Sequence, residues 1–532
     1  PVTAETTKQL GRKNDRTILC GTPEGFDTLL IAALAEGGKD VVVVARDDVS
    51  MARKAEALAF FAPTVECLEF PAWDCLPYDR VSPRALLINR RIDTLARLAD
   101  TGEKNNAGKK QKGRVVLTTV SALSQRVPPR LGFADSALAL KAGRQIDPFE
   151  LDWFLQSNGY FRSDTVMEPG EYAKRGGIID VFPAGARAPL RLDFFGDELE
   201  ALRAFDPATQ MTTENLSSAA LRPVSEVLLD EASITRFRSG YRVLFAKAGD
   251  DDPLYGAVSA GHRHIGMEHW LPLFHDRLET LLDYFPGAHV VLDHQAEEAL
   301  AARLELIGEY YLTRKGFADT KAKGGLAQAG AVYHPVPPEA MFLDAQQWDD
   351  LLARHPVSQL SPFAAPEGAG VTDAGGRSGH DFADVRVRPD SNVFDALGDH
   401  VRDRQAEGKR VVLTAFSQGS RDRLMSMLSD HGLQHLIPVD TWAEAMDLDA
   451  RLTAVCVVGL ERGFVAPSGD SEDGQLAVIS EPDILGQRLT RPSKPRVQPE
   501  NFIAEASALS PGDLVVHVEH GIGRFEGLHT IE

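Results

Sequence analysis

The stretch Gly21–Thr28 has residue types and spacing that could bind the phosphates of a nucleotide. A phosphate-binding loop reads G-x-x-x-x-G-K-[ST]; its backbone amides surround the phosphates and its lysine neutralises them. Here Phe26 stands at the second glycine, where its ring should obstruct close approach, and Asp27 stands at the lysine. A carboxylate at this place would repel a triphosphate. The stretch is therefore either a phosphate-binding loop that has lost its function or an ordinary turn between a strand and a helix.

A second stretch, HVVLDHQAEEAL from His289, could supply the magnesium-binding aspartate of an ATPase. Asp293 ends its apolar run, but His294 stands where ATPases of the helicase type carry a glutamate that orients the attacking water. Asp293 could instead cap a helix whose first turn holds Glu297 and Glu298. Two altered motifs in the right order favour a scaffold that does not hydrolyse nucleotide, with no catalytic residue. A working NTPase is the alternative.

Histidines and cysteines give no further catalytic or metal site. His262, His264, Glu268 and His269 lie close together in the sequence, but their spacing fits no standard zinc site. The four cysteines form no C-x-x-C pair. We therefore expect no metal ion and a reducing, cytoplasmic location.

Composition limits the kind of partner. The chain has 532 residues, 43% of them apolar, and a formal net charge of −20. That length is enough for several domains, and the absence of a long apolar run argues against a membrane span. A protein that binds nucleic acid over its whole surface would need clustered Lys and Arg. Because the net charge is strongly negative, we expect protein partners instead.

The elements that would position these residues alternate between strands and helices. The run Asp40–Arg46 has five continuous apolar residues at its centre, typical of a strand buried on both faces, and a helix capped by Asp47 or Asp48 follows it. This alternation predicts a parallel sheet covered by helices. From about Lys141, runs of alternating apolar residues between glycines and prolines indicate antiparallel hairpins, an inserted α+β domain that ends near Pro223.

Three longer motifs carry a family resemblance. They are PAWDCLPYDRVSP at 71–83, MEPGEYAKRGGIIDVFPAG at 167–185 followed by LRLDFFGDELEALRAFD at 190–206, and VVHVEHGIGRFEGL at 515–528. With these motifs the chain resembles the N-terminal part of the bacterial transcription-repair coupling factors, whose first region is similar to the excision-repair protein UvrB.

The resemblance implies a multidomain α/β fold. A degenerate RecA- or helicase-like parallel-sheet domain would be split by an inserted α+β domain of the UvrA-binding type. A small α/β domain and the start of a Tudor- or SH3-like β-barrel would follow. The boundaries that we expect are 1–140 and 224–345 for the split domain, 141–223 for the insert, 346–385 and 489–506 for linkers, 386–488 for the small domain and 507–532 for the barrel.

The resemblance also implies a function. The family recruits UvrA to DNA lesions where RNA polymerase has stalled, and the whole protein displaces the polymerase by ATP-dependent translocation on DNA. The barrel would bind the polymerase β subunit. ATP and magnesium would belong to motor domains outside this sequence, so no cofactor is expected in it. A stand-alone polymerase-binding regulator is a further alternative, disfavoured because the barrel is incomplete.

The resemblance also implies which residues of this chain contact the partners, because the family's contact positions fall within the matching motifs. UvrA would be contacted by Arg175, Arg191 and Phe195, and the polymerase by Ile531. In a strand, Arg191 and Phe195 share one face while Leu192 faces the core side, which leaves the first two for a partner. The alternative for each arginine is a surface ion pair in an acidic protein.

Overall fold

The computed structural model describes residues 16–100, 112–130, 137–245, 252–322, 332–366, 368–467, 475–486, 514–517 and 521–524. The chain divides into two compact units, Pro1–Ile484 and Leu485–Glu532. None of the helices in the described ranges is both long enough and apolar enough to cross a lipid bilayer.

The first part of the chain alternates strands with helices. Its elements are β1 (Thr17–Cys20), α1 (Phe26–Glu36), β2 (Val41–Ala45), α2 (Asp48–Phe61), β3 (Glu66–Phe70), α3 (Ala85–Ala99), β4 (Arg114–Thr119) and α4 (Val120–Leu123). β2 is buried along its whole length, as a central parallel strand covered on both faces should be. Asp47 caps α2 by accepting a hydrogen bond from the backbone N–H of Ser50.

The insert is a separate, mostly antiparallel sheet. Its elements are β5 (Leu138–Lys141), α5 (Pro148–Ser157), β6 (Phe161–Arg162), β7 (Glu171–Arg175), β8 (Ile178–Val181), β9 (Leu190–Phe195), β10 (Glu198–Phe205), β11 (Thr212–Leu216) and β12 (Ser218–Leu221). Six strands run in the order β11-β10-β9-β8-β7-β6, and β12 pairs with β5. Only the short β6–β7 pair is parallel in the six-stranded sheet. α5 packs on one face through Leu151 and Leu155. The hairpins predicted by the turn pattern are confirmed.

The chain then returns to the first sheet and completes it. The returning elements are α6 (Glu231–Leu244), α7 (Pro253–Ser259), a 3-10 helix (Met267–Leu273), α8 (Leu281–Tyr284), β13 (His289–Leu292), α9 (Ala296–Ala322), α10 (Pro338–Met341), α11 (Ala345–Leu352), β14 (Val357–Leu360) and β15 (Val371–Asp373). The seven strands are ordered β15-β1-β14-β13-β2-β4-β3, and every neighbouring pair is parallel. The predicted α/β fold, a parallel-sheet domain split by an α+β insert, is confirmed.

The segment 346–385 differs from the linker that its composition suggests. It contains most of α11 and supplies β14 and β15, which pair with β1 on its two sides. β14 escapes periodicity analysis because it is short and half polar. Its Ser358 is buried, and the hydroxyl of this residue forms a 2.9 Å hydrogen bond with His289 Nε2. β14 is a strand because it pairs with the parallel strands β1 and β13 on its two sides, and not because its own sequence has an apolar pattern.

A second α/β sheet follows. Its elements are β16 (Arg377–Ser378), α12 (Ala383–Val387), α13 (Val393–Ala406), β17 (Arg410–Ala415), α14 (Gln418–Asp430), β18 (Leu436–Pro438), α15 (Trp442–Asp447), β19 (Thr453–Val457), β20 (Phe464–Pro467), β21 (Gln475–Ser480) and α16 (Glu481–Leu485). The strand order is β16-β20-β21-β17-β19-β18. The domain expected at 386–488 thus begins earlier, since β16 joins its sheet and the ring of Phe382 is buried in its core.

The two α/β sheets share one apolar core. Phe26 of α1 and Phe61 of α2 belong to the same buried cluster as Val412, Cys456 and Phe464 of the second sheet. The rings of Phe61 and Trp442 meet edge to face with centroids 5.0 Å apart. The surface of the first domain at α1 and α2 is therefore an internal packing surface.

An ion pair buried completely within the protein ties the first domain to the end of the insert. Arg91 Nε on α3 donates to Glu226 Oε1 over 2.5 Å, and neither side chain has any exposed surface. The guanidinium also lies 4.1 Å from the ring centroid of Phe70 and donates to the Pro71 carbonyl. Arg91 Nη2 and Glu226 Oε2 have no hydrogen-bond partner among the described residues. The pair is thus buried but incompletely satisfied.

Arg91→Met is expected to lower the free energy of unfolding by about 3–5 kcal/mol, because Glu226 would be left charged and unpaired in the core. Urea unfolding followed by circular dichroism measures this loss. Arg91→Met combined with Glu226→Leu removes both charges and should be clearly more stable than the single variant. Equal stability of the two variants would contradict this account of the pair.

The second unit is described at two strands only. β22 (Leu514–His517) and β23 (Gly521–Arg524) pair in antiparallel register. This hairpin coincides with the predicted start of the barrel. Ile531 and the expected linker 489–506 lie outside the described residues.

Candidate functional site

The segment Gly21–Thr28 forms the turn from β1 into α1, at the carboxyl edge of the parallel sheet. Ligands of parallel α/β sheets bind at this edge. Gly21 and Gly25 have positive φ of 63° and 86°, conformations that residues with side chains rarely adopt. A Cβ at Gly25 would lie 2.8 Å from the ring of Phe464. The turn therefore has the placement of a phosphate-binding loop but packs against the second sheet.

The ring of Phe26 does not obstruct this turn, and the sequence-based expectation for it is wrong. Phe26 is 1% exposed, and its ring lies 6.0 Å from that of Phe464 in the shared core. Most residues of α1 are buried, so its first residue can turn inward where the second domain covers the helix. Phe26 is a core residue.

The carboxylate of Asp27 takes the hydrogen bonds that a phosphate would take. Its Oδ1 accepts from the backbone N–H groups of Gly25 (3.0 Å) and Thr28 (2.6 Å) and from the Thr28 hydroxyl (3.1 Å). Unpaired N–H groups at a helix N-terminus are what normally bind an anion. Asp27 thus supplies an internal anion, where the sequence suggested only repulsion.

A buried lysine completes the arrangement. The Lys54 ammonium on α2 is ion-paired to Asp27 Oδ2 and lies 3.4 Å from Asp293 Oδ1, directly after β13. All three residues are less than 9% exposed. We call these residues and the surrounding cavity of about 290 Å³ the cleft. A triphosphate entering it would meet an ammonium already shared by two carboxylates.

Burial and ion pairing shift the pKa values of the charged residues of the cleft in opposite directions. Burial alone would lower the pKa of Lys54, but the charges of Asp27 and Asp293 outweigh it and raise the pKa above its ordinary value. Burial likewise raises the pKa of Asp293, but Lys54 and a 2.6 Å hydrogen bond from the Ser50 hydroxyl lower it overall. Lys54 and Asp293 are therefore both charged at neutral pH, and the ammonium offsets part of the negative charge of the two carboxylates.

Sequence reasoning missed Lys54, although a signal for it exists. The buried residues of α2 are Met51, Lys54, Ala57, Leu58 and Phe61. This is helical spacing, so the lysine lies within the apolar stripe rather than on the solvated face. A lysine in such a stripe is rarely buried without a carboxylate partner.

His294 lines the cleft. Its ring meets that of Phe363 edge to face with centroids 5.4 Å apart. Arg46 and Arg53 also line the cavity, where they form ion pairs with Asp47 and Glu461. The cleft thus has the position of a nucleotide site and an electrostatic arrangement that is complete without one.

The histidine-rich stretch after the insert is structural. Glu268 accepts a 2.7 Å hydrogen bond from the Ser82 hydroxyl, and the His269 ring lies edge-on to Trp73. Burial lowers the pKa of His269 to about 4, so the ring is neutral at pH 7. These contacts hold the PAWDCLPYDRVSP segment in place. Among the described residues, no group of three or more His, Cys, Asp or Glu side chains is arranged to hold a metal ion.

The three residues carried over for UvrA lie on one face of the insert sheet. Strand register places Arg175 opposite Ile178, Ile178 opposite Asp193, and Asp180 opposite Arg191. Opposed residues share a face, so we name Arg175, Ile178, Asp180, Arg191, Asp193 and Phe195 the insert face. Leu192 points to the other side and is fully buried, as predicted.

Arg191 is held in place before any partner arrives. Its Nε and Nη2 donate to the two carboxylate oxygens of Asp180 over 2.7 and 2.9 Å. The guanidinium also lies 4.6 Å from the ring centroid of Phe205. The hydrogen bond to Asp180 is the main reason that the pKa of Arg191 is raised. The ion-pair alternative for Arg191 is therefore correct as a description of the free chain, and it leaves the guanidinium oriented.

Arg175, Ile178 and Phe195 are the exposed members of the face. Phe195 is 76% exposed at the end of β9, and Ile178 beside it is 40% exposed. The Arg175 guanidinium donates to the Asp164 carbonyl and to the Thr165 hydroxyl. The face thus combines an exposed ring with two oriented guanidinium groups. That it binds a partner stays a prediction.

Comparison with known proteins gives these features a context. A family model for the UvrB interaction domain matches residues 138–226, one for the MFD D3 domain matches 405–484, and one for the CarD-like/TRCF RID domain matches 509–532. The transcription-repair-coupling factor of Escherichia coli K12 is 32% identical over 94% of this chain and 41% of its own length. The resemblance to the N-terminal portion of the transcription-repair-coupling factors is confirmed.

Other coupling factors match in the same way. The protein of Haemophilus influenzae is 27% identical over 98% of the chain, and that of Mycobacterium tuberculosis is 29% identical over 97%. The chain spans about two fifths of the length of these relatives, 43% and 40% respectively. The UvrB interaction domain model covers the insert, with bounds three residues wider at each end than the predicted 141–223.

Proposed function

We propose that this chain is the recruitment scaffold of a transcription-repair-coupling factor, and that the insert face binds UvrA. The observation that carries the proposal is the exposed Phe195 beside a prepositioned Arg191, in the domain that the UvrB interaction model matches. An exposed aromatic ring flanked by guanidinium groups is typical of a binding hot spot. Arg191 loses little side-chain freedom on binding because Asp180 already holds it.

The other partners follow from the family. Residues 509–532, which match the CarD-like/TRCF RID domain, would begin the surface that binds the β subunit of RNA polymerase. The whole coupling factor would displace stalled polymerase by ATP-dependent translocation on DNA, in the cytoplasm, during transcription-coupled nucleotide excision repair. ATP, magnesium and most DNA contacts would belong to parts of the coupling factors that this chain does not match.

The direct test of recruitment is calorimetric titration of the chain with UvrA. We expect a saturable complex whose affinity depends on the residues of the insert face. Failure of UvrA to bind the correctly folded chain would overturn the proposed function.

The cleft is proposed not to bind nucleotide. Mg·ATP at concentrations up to about 1 mM, the upper end of common KM values, should give neither binding heat nor thermal stabilisation. The reason is that Asp27 occupies the amides of α1 and Lys54 is already paired. A nucleotide-dependent rise in the melting temperature would instead favour the NTPase alternative, since any ligand of the native state stabilises it.

A further inference from the structure

A second, larger cavity lies on the first domain, away from the cleft. It has a volume of about 820 Å³ and lies where α3 ends, where α8 precedes β13 and where α11 precedes β14. Elements that precede parallel strands lie at the amino edge of the sheet, opposite the carboxyl edge that holds the cleft. Four arginines line it: Arg126, Arg130, Arg277 and Arg354. We call it the arginine cavity.

Three of these arginines form no ion pair in the part of the chain that the structure describes. Arg126 donates to the Glu339 carbonyl and to Gln347 Oε1. Arg130 donates to the Ala99 carbonyl over a long 3.5 Å, and Arg354 donates to the Asp350 carbonyl. All of these acceptors are uncharged. Only Arg277 meets a carboxylate, Glu279, at 3.1 Å.

The carboxylates that line the cavity are already engaged. Glu279 accepts from Arg277 and from the backbone N–H of Arg130. Asp283 caps α8 by accepting from both the N–H and the hydroxyl of Thr280, and Asp350 accepts from Gln346. In a chain with a net charge of −20, three arginines around one cavity that form no ion pair among the described residues are unusual. Four arginines line the cavity against three carboxylates, so its lining carries a small formal excess of positive charge.

The backbone that carries Arg126 and Arg130 is fixed from both sides. Val127 exchanges two hydrogen bonds with Glu279, of 2.8 and 2.9 Å, and the N–H of Arg126 donates to the Met341 carbonyl. Burial lowers the pKa of Arg126, and the charges of nearby Asp344 and Asp283 oppose this shift only in part. The guanidinium groups are thus presented from a rigid frame, which lowers the ordering cost of binding an anion.

We propose that the arginine cavity binds phosphate groups, supplied either by a nucleic-acid backbone or by a free polyphosphate. Guanidinium forks bind phosphate and carboxylate alike. A tetrahedral phosphate, however, offers oxygens in several directions, and so suits guanidinium groups that come from two segments, Arg126 and Arg130 after α4 and Arg354 after α11. A planar carboxylate suits one fork at a time. An acidic protein segment is therefore the weaker fit.

The experiment measures phosphate binding to the whole chain in about 0.1 M salt, where long-range surface attraction is screened. The ligands are sodium tripolyphosphate, followed by calorimetry, and a labelled single strand of about 16 nucleotides, followed by fluorescence anisotropy. The test variant is Arg130→Gln with Arg354→Gln, which leaves Arg126 and its structural contacts intact. The matched control is Arg388→Gln with Arg451→Gln, two exposed arginines of the second sheet domain that pair with Asp384 and Asp449.

At least one phosphate ligand should bind, and the test variant should weaken it about tenfold or more while the control changes it little. Binding of DNA alone would assign the source to nucleic acid; binding of tripolyphosphate shows that free polyphosphate suffices. If the double variant unfolds, Arg354→Glu replaces it, because Arg354 is exposed just after the end of α11 and its loss should also weaken phosphate binding. Lack of binding by either ligand, equal loss in the control, or equal competition by polyglutamate would each overturn the proposal. UvrA binding should be unchanged in every variant.

Discussion

Phe195→Ala is expected to weaken UvrA binding by about 30-fold or more, the usual effect of removing an aromatic hot spot. The ring is 76% exposed in the free chain, so its loss should leave the fold intact. Calorimetry with purified UvrA measures the change, and thermal unfolding verifies the fold. The matched control is Phe149→Ala on α5, a ring that is 82% exposed outside the insert face. Equal losses for both variants would show that the insert face is not the binding surface.

Arg191→Glu extends the same test to the charged part of the face. It should abolish measurable binding, but it also places a third carboxylate beside Asp180 and Asp193 and could unfold the insert. Combining it with Asp180→Arg reverses the ion pair and should restore the melting temperature. We expect binding to stay lost in this double variant, because the guanidinium has moved to β8. Full UvrA affinity in the refolded double variant would contradict the assignment of Arg191.

Lys54→Met is expected to lower the free energy of unfolding as strongly as Arg91→Met. It leaves Asp27 and Asp293 buried without their cation, which should cost about 3–5 kcal/mol in the free energy of unfolding. Urea unfolding at neutral pH measures the loss. Adding Asp27→Asn and Asp293→Asn removes the uncompensated charge and should recover most of it. A single variant as stable as the parent chain would mean that the three residues do not interact as the structure places them.

Acidification should reduce the difference in the free energy of unfolding between the Lys54→Met variant and the parent chain. In the parent, the pKa of Asp293 is lowered by Lys54, so its stabilising contribution is present above the unfolded pKa of about 4 and is lost as the pH falls through the lower folded value. In the variant, the charge of Lys54 no longer opposes burial, which leaves only the hydrogen bonds from the Ser50 hydroxyl and from the N–H groups of Arg46 and His294 to do so, and we expect the pKa of Asp293 to rise. Protonation then relieves the buried charge as the pH falls from about 7 to about 5. The midpoints of urea unfolding at both pH values measure the effect; a constant difference would contradict it.

Local patterns were enough to predict much of the fold. The apolar run of β2, the capped helix α2 and the hairpins of the insert each follow from side chains within a few residues of one another. The motifs also located the turn Gly21–Thr28, the aspartate after β13 and the common face of Arg191 and Phe195. Strand β14 was not predicted, because its short and polar sequence becomes a strand only between β1 and β13.

The sequence by itself determined the α/β alternation, the resemblance to the coupling factors and the presence of Asp27 where a phosphate-binding loop carries a lysine. Only the tertiary structure decided that Phe26 turns into a core shared with the second sheet and that Lys54 pairs with both Asp27 and Asp293. It also brought the arginines of the arginine cavity together. The physical reason is one of range: backbone periodicity and capping act between near neighbours in the chain, whereas burial and ion pairing depend on which distant segments pack together.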